Sequence, residues 1–127
     1  MPATVPMPPH GQRLLGFGRL PENALAVQDQ LRSLGYRATA FALTNDADGD
    51  ARLVEELSAD RYDGVGIGGY INGQDSEHPA TQESFLWFTR VLNIVHEYAP
   101  GAKIVLSRKP SEALEAVERV LGKNSSA

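Results

Sequence analysis

The chain contains no cysteine. That absence excludes disulfide staples, a thiolate nucleophile and a thiolate-ligated metal, and it agrees with a reducing, cytoplasmic location. No apolar run reaches the length needed to cross a bilayer, and the opening MPATVPMPPH lacks the charged start and apolar core of a secretion signal. No membrane partner is expected. Basic residues are in the minority, 12 Lys and Arg against 16 Asp and Glu for a net charge of -4. They are also scattered, apart from Arg108-Lys109, which excludes a nucleic-acid partner that needs a broad basic face. No Walker sequence occurs. The turn Gly16-Phe17-Gly18-Arg19-Leu20-Pro21 begins like a dinucleotide fingerprint, but Pro21 stands where the third glycine belongs. A length of 127 residues leaves no room for a second nucleotide-binding half.

With 42% hydrophobic and 22% charged residues, the composition is that of a globular domain large enough to bury a core. Four prolines in the first nine residues argue against a regular element there, so residues 1–11 are expected to be an extended or disordered tail. The domain proper is expected over 12–122, with a frayed tail at 123–127. Within it, apolar runs and helical spacings alternate. QRLLGFG (12–18) is expected as a strand, followed by a helix from Pro21 or Asn23, with Asn23 able to cap it, that stops at Gly35. YRATAFAL (36–43) is a second strand and Gly49 to Asp60 a second helix. Val65 and Ile67, set between glycines, suit a central strand covered on both faces. A polar loop of about a dozen residues then precedes a third helix, Glu83 to Tyr98. KIVLS (103–107) and a helix from Ser111 to Leu121 complete the series, with Ser111 as the cap.

Four strand-helix alternations predict a four-stranded parallel sheet with helices on both faces, and right-handed crossovers favour the order 2-1-3-4. Ligands meet such sheets at the carboxyl ends of the strands, where the order reverses between strands 1 and 3. A small polar or anionic molecule is therefore expected at the ends of strands 1, 3 and 4. The residues expected to face it are Gly18, Arg19, Gly69, Tyr70, Asn72, His78, Ser107, Arg108 and Lys109. His78 has a near-neutral ordinary pKa and is a candidate acid or base. Ser107 and His96 are weaker catalytic candidates. The adjacent spacing of Asp75, Glu77 and His78 does not favour a metal, and none is expected.

The third helix is apolar over an arc of roughly 180°, wider than one sheet face requires. The surplus around Trp87, Val91, Ile94 and Tyr98 needs a cover, either a neighbouring helix of the same chain or a second copy. A homodimer through this helix is the expectation.

KIVLSRKPSEALEAVERVL and GYRATAFALTNDADGDARLVEELSADRYDGVGI resemble parts of response-regulator receiver domains, in which a Lys-Pro pair (here Lys109-Pro110) ends the last strand. Gly18-Arg19 replaces the acidic pair of that family, Gly68-Gly69 replaces its phosphoacceptor, and one strand-helix unit is missing. The resemblance implies at most a degenerate relative, a regulatory interaction module without phosphorylation. A broader resemblance covers Gln12 to Leu121. Tyr62, Asp63, Val65, Ile67 and Gly68, with Asn93, His96 and Ala99-Pro100-Gly101-Ala102, are similar to short, uncharacterised bacterial single-domain flavodoxin-like proteins. That resemblance implies a three-layer flavodoxin-like or Rossmann-like sandwich and brings no reaction with it. Strand 1 lacks the Ser/Thr-rich phosphate loop of flavodoxins, so no flavin or other cofactor is expected.

Overall fold

The computed structural model describes residues 5–123. Its elements are β1 (Arg13–Gly18), α1 (Pro21–Ser33), β2 (Arg37–Ala42), α2 (Ala47–Ala59), β3 (Gly64–Ile67), a one-turn helix α3 (Gly69–Asn72), α4 (Gln82–Tyr98), β4 (Lys103–Leu106) and α5 (Ala113–Leu121). The strands are all parallel, in the order β2-β1-β3-β4. Helices α1 and α5 cover one face and α2 and α4 the other, the three-layer flavodoxin-like arrangement.

Helix starts follow local chemistry. Asp46 caps α2, its carboxylate accepting from the Gly49 N–H and the Thr44 hydroxyl, each at 2.7 Å. Thr81 and Ser84 cap α4 reciprocally, side chain to backbone in both directions. The two caps expected at Asn23 and Ser111 are corrected: Asn23 lies inside the first turn of α1 and Ser111 inside a 3-10 turn, Pro110–Glu112. The physical reason is the same in both places. A proline fixed at helical φ, Pro21 or Pro110, starts the helical geometry ahead of the polar residue.

The two faces of the sheet differ sharply. Toward α2 and α4 it presents Leu15, Phe17, Phe41, Val65 and Ile67, which enclose Leu53, Leu57, Ile71, Trp87, Val91 and Val95 in the larger core. Toward α1 and α5, register places Leu14, Gly16 and Gly18 beside Ala38, Ala40 and Ala42 on one side and Gly64 and Gly66 on the other. This second core is smaller, built from Leu14, Leu31, Tyr36, Ala38, Val105, Ala116 and Val117. The free edge of β2 is satisfied by α1: the Gln28 side-chain oxygen accepts from the Ala40 N–H at 3.0 Å, and Arg32 Nε donates to the Ala38 carbonyl at 2.7 Å.

The apolar arc of α4 is covered within the chain. Trp87 is 4% exposed and Val91 fully buried, against α2, α3 and the sheet, and Ile94 is half-buried on the same core. Of the four residues expected at an interface only Tyr98 is exposed, which corrects the assignment of Trp87 and Val91. The added cover is α3, which buries Ile71 in a stretch expected to be loop. Residues 5–12 carry no helix or strand, yet the Val5 carbonyl accepts from Arg32 Nη1 at 3.1 Å and Gly11 (φ 116) lies against the Gly35 carbonyl. The remainder of both expected tails, 1–4 and 124–127, lies outside the described residues.

Gly69 starts α3 where a Cβ would lie 2.0 Å from the Arg108 carbonyl oxygen. Gly69→Ala is expected to separate α3 from the end of β4 and cost roughly 1–3 kcal/mol in urea unfolding. Gly101→Ala, whose added methyl meets nothing within 4 Å, is the control and should stay within about 0.5 kcal/mol of the parent.

Candidate functional site

β1 and β3 are hydrogen-bonded neighbours, yet the chain leaves β1 for α1 on one face and β3 for α4 on the other. Their carboxyl ends therefore part, leaving the crevice in which sheets of this kind receive ligands. The crevice opens into a cavity of about 470 Å³, in the range of small-molecule sites. Eight of the nine residues expected at a site line it: Gly18 and Arg19 after β1, Gly69 and Tyr70 on α3, His78 before α4, and Ser107, Arg108 and Lys109 after β4.

Asn72 is the exception and is corrected to a structural role. It is buried, and its Nδ2 donates to the carbonyls of Ile67 at 2.8 Å and Ser107 at 3.0 Å, while its Oδ1 accepts from the Gln74 N–H at 2.9 Å. The amide thus ties the end of β3 to the end of β4, and Asn72 does not line the cavity. His96 lies away from this mouth, lining a separate hollow with Leu92 and Pro100. The structure does not bring it to His78 or Ser107.

Side chains at the mouth are held in pairs. The Arg19 guanidinium sits 4.5 Å from the centroid of the Tyr70 ring, a cation-π contact that also orients the tyrosine. The His78 ring lies 5.3 Å from Tyr70 on a tilted approach, and Tyr70 points edge-on toward the buried Trp87 at 6.5 Å. His78 Nδ1 is 3.1 Å from Asp75 Oδ2. The Glu77 backbone N–H, and after it the His78 ring, hold the Asp75 carboxyl below its ordinary value. Asp75, whose spacing with Glu77 and His78 did not favour a metal, positions an imidazole. Among the described residues no group of three or more His, Cys, Asp or Glu is placed to hold a metal. Arg108 makes a two-point contact with the Glu112 carboxylate, 2.9 and 3.0 Å, which raises the pKa of the arginine and lowers that of the glutamate. Arg19 and Lys109 form no ion pair among the described residues. Lys109 acts on the Glu112 carboxylate at longer range, and Asp75, Glu77 and Glu112 share the lining. Arg19 and Lys109 are its cations without a close carboxylate contact, and the His78–Asp75 pair can accept or deliver a proton in the same lining.

Below the mouth the cavity continues between α1 and α5, over Gly16, Gly66, Ala38 and Ala40. Sequence reasoning placed the mouth and missed this depth. The signal was present as small residues at every second position, LxGxG in 14–18, AxAxA in 38–42 and GxGxG in 64–68, which register stacks on one face. No protein-family model matches the chain, and no curated protein matches it.

Two outcomes follow from the pairs at the mouth. Asn72→Ala removes the side-chain donor from the Ser107 carbonyl and leaves the Ile67 carbonyl only its bond from the Ser107 N–H at 3.5 Å, and is expected to cost roughly 1–3 kcal/mol in stability. Because the folded pKa of Asp75 is depressed, its contribution is present above the ordinary carboxyl value of 3.8 and is lost as pH falls through the folded value. Thermal unfolding should therefore show Asp75→Ala below the parent at pH 7, with the gap closing in acid.

Proposed function

We propose that the protein is a small-ligand-binding domain whose site is the cleft at the carboxyl ends of β1, β3 and β4, and that it takes a small polar or anionic molecule. The observation that carries this reading is the 470 Å³ cavity with Arg19 and Lys109 in its lining, neither of them in a salt bridge among the described residues, beside the carboxylates Asp75, Glu77 and Glu112. Cations so placed meet an anion entering between β1 and β4 from two sides. Tyr70 supplies a face against which the organic part can rest. The Asp75–His78 pair in the same lining supports a catalytic version of this reading, with His78 as the proton-transferring group and Ser107 as a hydroxyl elsewhere in the lining.

A second reading, self-association, rests on Phe85 and Leu86 near the start of α4, which are 62% and 54% exposed. Sedimentation at high micromolar concentration distinguishes the two. A dimer weakened by Leu86→Ser supports self-association, and a monomer removes it.

Thermal unfolding against a panel of nucleotides, phosphosugars and carboxylates tests the ligand reading, since binding to the folded state raises stability with ligand concentration. Compounds that raise the midpoint should bind roughly tenfold or more weakly to Arg19→Ala and Lys109→Ala, in keeping with the loss of a charged hydrogen-bonding partner. A panel that leaves the midpoint unchanged throughout removes the ligand reading.

A further inference from the structure

The lower part of the cavity is unlike its mouth. Helix α1 packs over β1 and β2, and α5 over β3 and β4, so neither covers the seam where β1 meets β3. That seam is paved with glycine. A Cβ built at Gly16 would meet only the Ala40 methyl, at 3.8 Å, one at Gly66 only backbone at 3.9 Å, and one at Gly18 nothing within 4 Å. These glycines are therefore not demanded by close packing inside the chain, and each leaves vacant the space a side chain would take. Farther in the seam closes: a Cβ at Gly64 would meet Leu121 at 2.9 Å and Leu14 at 3.2 Å. The walls are apolar, Ala24, Val27 and Leu31 from α1 and Ala113 and Val117 from α5. The outcome is a blind apolar channel from Gly18 to Leu14, four residue steps or about 13 Å, with Arg19 and Lys109 at its open end.

We propose that the channel receives the aliphatic chain of an amphiphile whose anionic head, a carboxylate or a phosphate, stays at the rim. This rests on the ligand reading above and specifies the class of molecule that site takes. A zigzag chain advances about 1.3 Å per carbon at ordinary bond lengths, so about ten carbons reach the closed end. A chain of that size replaces the side chains that the glycine seam lacks, and the head remains beside Arg19 and Lys109, neither of which is in a salt bridge among the described residues. The floor is the sheet backbone itself, whose polar groups are consumed in strand pairing, so an apolar chain can lie on it without stranding a hydrogen bond.

The test uses the full chain, with thermal unfolding and calorimetric titration of straight-chain carboxylates from butyrate to tetradecanoate, below their aggregation concentrations, and of butyl and decyl phosphate. Affinity is expected to rise about fourfold per added methylene, the transfer value for a buried CH2, and to level off near ten carbons. Decyl phosphate against decanoate reports which head the rim prefers. Gly66→Val places two methyls in the channel at a strand position that favours a β-branched residue, and Ala24→Leu fills it from the α1 wall. Each should fold with an unfolding midpoint at or above the parent's and weaken decanoate at least tenfold while leaving butyrate unchanged. Affinity that ignores chain length, or filled variants that bind decanoate as the parent does, overturns the channel while short anions sensitive to Arg19→Ala keep the rim reading alive. No binding by any member, short or long, removes both.

Discussion

Gly16 lies beside Gly66 at the centre of a parallel sheet, and the rest of the molecule takes its form from that pairing. On the α2 and α4 side the same two strands present Leu15, Phe17, Val65 and Ile67, and the larger core closes over them. On the other side the strands present almost no side chain. Two helices cannot both sit on one seam, so α1 and α5 stand apart over the outer strand pairs and leave the bare backbone between them. Stability is thus concentrated on one face and space on the other. A sheet built this way can hold a ligand deep in its own framework without giving up the packing that keeps it folded.

The mouth depends on a second constraint, the reversal of strand order between β1 and β3. Three loops that are far apart in the chain converge there, and buried backbone bonds fix their positions. Asn72 joins the ends of β3 and β4, and Gly69 lets the Arg108 carbonyl come close to α3. On this frame Asp75 pairs with His78 and Arg108 with Glu112, while Arg19 and Lys109 make no salt bridge among the described residues, Lys109 acting on Glu112 only at longer range. Two cations without a salt bridge stand at the rim and apolar walls lie within, which is why the proposed ligand has an anionic head and an aliphatic tail.

Most of the fold was legible in the sequence because hydrophobic period and turn residues agreed. Four apolar runs, each ended by turn-forming or polar residues, alternated with helical spacings, and a parallel sheet with right-handed crossovers has few economical orders. The errors fell where local and tertiary signals diverge. Asn23 and Ser111 are good caps by type, but the prolines before them had already set helical geometry. Asn72 has the side chain of a ligand residue, and only three-dimensional placement shows its amide spent on the Ile67 and Ser107 carbonyls. Trp87 and Val91 looked surplus because α3, which covers them, is four residues long with glycine before and after it and carries no helical periodicity. The channel is the instructive omission. Its small residues were visible, but their meaning depended on which of them share a face, and register supplies that.

Paired substitutions at adjacent positions on opposite faces of β3 test the asymmetry most directly. Val65 is fully buried on the filled face and Gly66 lies next to it on the open one. In urea unfolding, Val65→Ala should lose roughly 2 kcal/mol, as expected for deleting buried methyl groups in a close-packed core, while Gly66→Ala should lose nothing or gain a few tenths. A Gly66→Ala loss as large as that of Val65→Ala would mean that the sheet is close-packed on both faces, with no open seam between β1 and β3.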